Sequence, residues 1–311
     1  MPHDMKFFTG TSNPGLALEI SEYLESPLGN VTIKTFADGE TFVKFEENIR
    51  GADVFIIQST NSPSANLIEL FLMLDAARKS SARRVTAVVP YYGYCRQDRK
   101  DQPRVSISAK LMADLITQAG ANRMLTMDLH AAQIQGFFDI PVDHLYSSMA
   151  FTEYFKALEI PDLTVVAPDT GSLIMARAYA KRLGVKIAFI DKRRPEPNAV
   201  EVLNIVGEIE GRNILIIDDM VDTAGTLCEA AKGLKVQGAN HIYCAATHGL
   251  LSGPAIERLD ASPIEKMIVT NTISIPDEKR FPDLEIVSVG HIFGEAIRRT
   301  YQEESISTLF R

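Results

Sequence analysis

The chain of 311 residues has no tryptophan and only three cysteines, Cys95, Cys228 and Cys244. An odd number of thiols without metal-type spacing argues against a disulfide framework or a zinc site. It fits reduced, partly buried side chains in a reducing compartment. No apolar run approaches the roughly 20 residues that a spanning helix needs. The opening MPHDMKFFTG has neither the charged nor the apolar region of a secretory signal. A cytoplasmic protein with no membrane partner is expected. Low-complexity tracts are also missing, and the 23% of charged residues argue against wholesale disorder. Positive charge is in short supply: the formal net charge is −8, which argues against general binding of nucleic acid or anionic membranes. An anionic substrate then requires a local basic site.

What is present is apolar surface, 46% of residues, on a chain long enough for two domains at roughly 100–200 residues each. Short runs that are apolar on both faces recur: Asp53–Gln58, Arg84–Val89, Thr164–Ala167, Val185–Ile190 and Arg212–Ile217. Such runs suit strands of a covered parallel sheet. Amphipathic helices lie between them, as in Ala65–Lys79, Ile107–Gln118 and Ser172–Leu183. The last should stop at Gly184, a C-terminal glycine cap. The alternation predicts an α/β fold with helices on both faces of each sheet.

The two halves also resemble each other. KFFTG, a helix, VTIKTF and the polar turn Ala37–Glu40 parallel TVVAPD, a helix, VKIAFI and the basic turn Asp191–Arg194. GADVFIIQST and its helix parallel GRNILIIDDM and its helix. A duplicated domain follows, with the join near residues 141–150. One copy ends its strand in Gln58-Ser59 and the other in Asp218-Asp219, so only the second has acids for binding sugar hydroxyls.

Ile214–Ala231, ILIIDDMVDTAGTLCEAA, carries the most chemistry. Ligands of open α/β sheets sit beyond the carboxyl ends of the strands. At the strand end the backbone turns, so both carboxylates of Asp218-Asp219 should reach the vicinal hydroxyls of one ribose, each accepting two hydrogen bonds. Asp222, Thr223, Ala224, Gly225 and Thr226 then place small side chains where backbone N–H groups converge. Thr226 can cap the following helix, whose N-terminus favours phosphate.

This loop resembles the phosphoribosyl diphosphate signature of type I phosphoribosyltransferases. On the loop alone, an enzyme that makes that product and one that uses it both remain open. Over essentially all 311 residues the chain resembles the ribose-phosphate diphosphokinases, which move the β,γ-diphosphoryl group of ATP to the 1-hydroxyl of ribose 5-phosphate and release AMP. The resemblance implies two duplicated type I phosphoribosyltransferase-like domains, residues 1–145 and 146–311, with the last stretch of about 20 residues packing back on the first. The alternatives are a base phosphoribosyltransferase, which needs one such domain, and a silent regulatory homologue, which would have lost its acids or its catalytic cations.

Four further segments carry the likeness. FADGE, Phe36–Glu40, combines an aromatic face with acceptors for an exocyclic amine. The resemblance implies that Phe36, Asp38 and Glu40 form an adenine pocket for a neighbouring subunit, in a homo-oligomer of three dimers. GYCRQDRK, Gly93–Lys100, is the local basic site, suited to polyphosphate through guanidinium contacts; the family pattern assigns Arg96, Gln97 and Arg99 to ATP. His130 of MDLH and Asp169 of APDTGS match the family's magnesium positions, with Asp128 nearby. DKRRPEPN, Asp191–Asn198, matches its catalytic lid, with Lys192 and Arg194 as the catalytic pair. A regulatory anion site is implied at Arg50, Lys100, Arg104, Ser305 and Ser307. Asn48, Gln102 and Pro103 depart from its pattern of hydroxyl, base and hydroxyl, so weak phosphate activation is expected.

Overall fold

A computed structural model describes residues 4–193 and 202–310. The chain divides into two compact units. Unit 1 comprises Met1–Tyr146, Thr272–Ser274 and Val289–Arg311, and unit 2 comprises Ser147–Asn271 and Ile275–Ser288.

In unit 1 the order is β1 (Met5–Thr9), α1 (Pro14–Tyr23), β2 (Val31–Thr35), β3 (Thr41–Phe45), β4 (Asp53–Ile57), α2 (Ala65–Lys79), β5 (Arg84–Val89), α3 (Ser108–Ala119), β6 (Arg123–Met127) and β7 (Val142–Leu145). Unit 2 follows with α4 (Ser148–Ala157), β8 (Leu163–Ala167), α5 (Leu173–Leu183), β9 (Lys186–Arg193), β10 (Val202–Val206), β11 (Asn213–Val221), α6 (Gly225–Val236), β12 (Ile242–Gly249), α7 (Ala255–Asp260), β13 (Lys266–Thr270) and β14 (Leu284–Val287). Helix α8 (Gly290–Gln302) belongs to unit 1 and packs on α1.

Both sheets obey one topology. Unit 1 orders its strands β1-β4-β5-β6-β7, and unit 2 orders the matching strands β8-β11-β12-β13-β14. All neighbours within these five-strand sets run parallel. The units differ at one edge. In unit 2, β9 joins β8 in parallel and β10 pairs antiparallel with β9. In unit 1 the counterparts β2 and β3 form a separate antiparallel hairpin.

The apolar runs become central strands because both faces are covered: every residue of DVFII in β4 and LTVVA in β8 is buried. Each such Val, Leu or Ile side chain contributes roughly 1.5–3 kcal/mol relative to exposure. Gly184 closes α5 in the left-handed region at φ +70°, its N–H bonded to Ala180 O. That conformation has little cost for glycine. No described helix is long and apolar enough to cross a membrane, and the three cysteines are buried and form no disulfide.

TFVKF is a strand, β3, so the FADGE turn is the turn of a hairpin. Two expectations are corrected. Strand β9 continues past Ile190 through Arg193, because β10 returns beside it and pairs Leu203 with Lys192. Strand β11 does not turn at Asp218-Asp219 but continues to Val221. Its backbone there finds partners in the extended β12, which pairs Asp218 with Ala246 and Met220 with His248.

Candidate active site

In unit 2, β9 lies on one side of β8 and β11 on the other. The chain therefore changes direction across the sheet between β8 and β11, the switch point where open α/β sheets bind ligands beyond their carboxyl ends. The loop after β8 supplies Asp169 and Ser172; the end of β11 supplies Asp218 and Asp219.

Because Asp218 and Asp219 are successive strand residues, their side chains leave on opposite sides. Asp218 Oδ1 accepts hydrogen bonds from Ser172 Oγ at 2.9 Å and from the Asp219 N–H at 3.0 Å. Asp169 Oδ1 accepts from the Ser172 N–H at 2.9 Å. Asp218 is half-buried, and desolvation pushes its carboxyl from the usual 3.8 up to about 7, with the charge of Asp219 adding to the rise. Ser172 pulls it down, and Asp169 pushes it up by a smaller amount. Two carboxylates joined through Ser172, with the charge of Asp219 beside them, favour a cation or a set of hydroxyl donors.

The turn after β11 is built by tying down its carbonyls. Val221 O accepts from the Leu250 and Leu251 N–H groups, and Asp222 O accepts from Ser252 N–H at 2.8 Å. Thr223 O accepts from Arg258 at 3.0 Å, and Ala224 O receives the first helical N–H, of Cys228. Ala224 adopts the left-handed region at φ +57° and is the N-cap of α6. Thr226 does not cap: it lies inside the helix, and no side chain bonds the α6 N-terminus. A Cβ at Gly225 would sit 3.2 Å from the Arg258 guanidinium, a tight contact that this side chain would have to relieve by a small shift. The result is one-sided. The N–H groups of Thr223, Ala224, Gly225 and Thr226 donate to no acceptor among the described residues. Four successive donors at a helix N-terminus form an anion cradle.

The corresponding corner of unit 1 is closed by its own side chains. Gln58, at the position matching Asp218, accepts from Ser12 Oγ at 2.7 Å and donates to Glu69 Oε1 at 2.8 Å. Glu69 also takes the Thr11 N–H and hydroxyl. A Cβ at Gly10 would stand 2.3 Å from Gln58 Oε1 and 2.5 Å from Glu69 Oε1, so both side chains pack directly against this glycine.

The other candidate residues of unit 1 lie on exposed turns. Phe36 is 52% exposed at the tip of the β2–β3 hairpin, where Gly39 N–H bonds Phe36 O and Glu40 N–H bonds Asp38 Oδ1. Beyond β5, buried Tyr92 donates to Ala109 O at 2.7 Å. Gly93 packs so tightly that a Cβ would lie 2.2 Å from Thr60 O. This anchors the exposed Arg96, Gln97, Arg99 and Lys100. Gln97 is held by Ser108 Oγ, and Asp98 by Gln133 at 2.8 Å.

After β6, Asp128 is buried in the left-handed region at φ +36°, an uncommon conformation for a residue with a side chain. His130 follows, exposed. The bend is held by His144 of β7, whose Nε2 accepts the Leu129 N–H at 2.9 Å. Sequence reasoning missed His144, Ser172 and Arg258, which act through backbone or other side chains and have no local motif. Lys192 lies on β9 opposite Leu203; Arg194 lies outside the described residues.

The implied anion-site residues fall at two ends of one sheet. Arg50 precedes β4, and Ser305 and Ser307 follow α8, whose Thr300 O accepts from Arg84 at the start of β5. Lys100 and Arg104 follow the other end of β5.

Among the described residues, no group of three or more His, Cys, Asp or Glu could hold a metal alone. Asp169 offers a hard oxygen, and a magnesium ion that keeps its waters and borrows substrate phosphates needs few protein ligands. The residues present fit that kind of site.

Comparison with known proteins closes the description. Residues 5–120 match the model described as the N-terminal domain of ribose phosphate pyrophosphokinase, and residues 195–311 match a phosphoribosyl synthetase-associated domain. A ribose-phosphate pyrophosphokinase of Chlorobaculum tepidum is 54% identical over 311 residues, covering 100% of this chain and 96% of the relative. One of Synechococcus elongatus is 53% identical over 312 residues, covering 99% and 94%. The crystal structure of phosphoribosylpyrophosphate synthetase from Mycobacterium smegmatis superposes with a TM-score of 0.91 at 40% identity, covering 96% of this chain and 99% of that one.

Proposed function

The chain belongs to the ribose-phosphate pyrophosphokinase family, enzymes that transfer the β,γ-diphosphoryl group of ATP to the 1-hydroxyl of ribose 5-phosphate, and from that premise we propose that its unit 2 cradle is the ribose 5-phosphate site. The observation that supports this reading is the run of four uncommitted N–H groups, Thr223 to Thr226, beside Asp218 and Asp219. The cradle takes the 5-phosphate, and Asp218 and Asp219, which leave β11 on opposite sides, are each assigned ribose hydroxyls by the family pattern rather than by a shared face.

We assign Arg96, Gln97 and Arg99 to the triphosphate, and Phe36, Asp38 and Glu40 to the adenine of ATP bound by a neighbouring subunit. The exposure of that hairpin turn suits a role in another subunit of a homo-oligomer, taken here as a hexamer of three dimers. Enzymes of this family generally need a metal. Mg2+ is the ion we assign, with His130 and Asp169 as its contacts; when bound it neutralises phosphate charge. The 1-hydroxyl attacks the β-phosphorus in line, and AMP leaves. Such transfer depends on positioning and charge stabilisation, so Lys192 and Arg194 are assigned to the transferring phosphate. The three buried cysteines, none in a disulfide, and the acidic net charge support a cytoplasmic enzyme without nucleic-acid partners. We assign Arg50, Lys100, Arg104, Ser305 and Ser307 to a regulatory anion site at a contact between subunits.

The test is a coupled assay with ATP and ribose 5-phosphate. AMP should form only when both substrates and magnesium are present. ADP as the main product would mean γ-phosphoryl transfer and refute the reading. A base phosphoribosyltransferase would form no AMP from this pair.

A further inference from the structure

Ser172 is the N-cap residue of α5, where a serine hydroxyl ordinarily accepts a hydrogen bond from the first turn. It makes no such bond. Its Oγ instead lies 2.9 Å from Asp218 Oδ1 and 3.2 Å from Asp169 Oδ1, while its N–H donates to the same Asp169 oxygen at 2.9 Å. A hydroxyl has one proton. Since the N–H already serves Asp169, the shorter contact commits that proton to Asp218.

The consequence for the carboxylates is specific. Asp218 Oδ1 is doubly engaged, by Ser172 and by the Asp219 N–H. Asp169 Oδ1 is engaged by Ser172 alone, through its N–H, with the hydroxyl oxygen 3.2 Å away. Each acid is left with Oδ2, which has no hydrogen-bond partner among the described residues. One residue therefore fixes the orientation of both carboxylates across the gap between β8 and β11.

We propose that Ser172 is a positioning residue that sets Asp218 and Asp169 in a fixed relation, so that a ribose hydroxyl and the metal meet a pre-arranged pair of carboxylate oxygens. This rests on the assignment of the ribose 5-phosphate site above. It makes the loop after β8 part of sugar recognition, although its only assigned role is toward the metal.

The experiment measures ribose 5-phosphate binding to the full chain by calorimetry, with nucleotide and metal absent. Ser172→Ala should weaken binding about tenfold, the loss that follows removal of one hydrogen bond to a charged acceptor. Ser172→Thr, which keeps the donor, should stay within about twofold of wild type. In an Asp218→Ala background, Ser172→Ala should have no further effect, because a residue that acts through a partner is silent without it. If Ser172→Ala does not fold, Ser172→Cys, with its weak donor, replaces it with the same expected loss. Wild-type affinity in the folded Ala or Cys variant, or an undiminished loss in the Asp218→Ala background, overturns the proposal. Asp218→Ala that itself binds ribose 5-phosphate normally overturns the site assignment instead.

Discussion

Replacing Asp218 by asparagine should stabilise the empty enzyme at mildly alkaline pH while impairing its binding of ribose 5-phosphate. The carboxyl is pushed from 3.8 to about 7 by desolvation and by Asp219. At about 1.4 kcal/mol per tenfold this corresponds to about 4 kcal/mol; solvent reaches the half-buried group, so we discount it to about 2 kcal/mol. An acid whose folded value lies above its unfolded value takes up a proton on folding. Its contribution favours the folded state at low pH and is lost as pH rises from about 4 to about 7. Carboxylates held below their usual range, such as Glu47 beside Lys6 and Glu285 beside Lys266, have the opposite effect, but only nearer pH 4. Thermal melting without metal at about pH 6 and about pH 8 therefore isolates the effect, provided wild type and Asp218→Asn are compared at each. The variant should melt higher by about 3–6 °C at pH 8, and the gap should shrink at pH 6. A variant that melts at or below wild type at pH 8, or a gap that does not change with pH, would refute the electrostatic account. Binding in place of melting should show the trade-off between an active site's strain and stability.

Lys192→Ala should lower kcat about 10²–10³-fold, or about 2–4 kcal/mol, with little change in either KM, as a transition-state contact requires; an unchanged kcat with a large rise in KM assigns it to ground-state binding. Free phosphate, titrated at fixed magnesium and ionic strength, should activate weakly or not at all, because Gln102 and Pro103 supply neither a base nor a hydroxyl; a steep saturable rise from near-zero activity would contradict this. Arg84→Met should cost about 2–3 kcal/mol in denaturant unfolding, since Asp53 is buried with Arg84 at 2.9 Å and Arg83 at 3.3 Å and a buried charge that loses its main partner is expensive. A loss under about 0.5 kcal/mol would show that Arg83 alone compensates it.

The legible features were those written in local pattern. Helix α2 and strand β5 run over the residues that periodicity gives, because a buried segment repeats its apolar residues at the period of its own geometry. The Asp222–Thr226 turn stood out because small residues between an acidic strand end and a helix have few other uses. Less legible was anything settled by a distant neighbour. Strand β11 runs on through its acids because β12 offers partners, and β9 runs through Lys192 because β10 returns beside it. Thr226 reads as a cap, but the chain enters α6 through a left-handed Ala224, and Arg258, 35 positions away in sequence, holds that entry.

The amino-acid order thus determined the parallel sheets, their duplication and which copy keeps acids, since burial on both faces and a Gln58 or Asp218 after a strand are properties of short segments. Only the tertiary structure decided that Glu69 fills the first copy, that four N–H groups stay open in the second, and that Ser172 serves two carboxylates rather than its helix. Those outcomes depend on which hydrogen-bonding groups meet across the sheet, and a chain's order does not state who its neighbours in space will be.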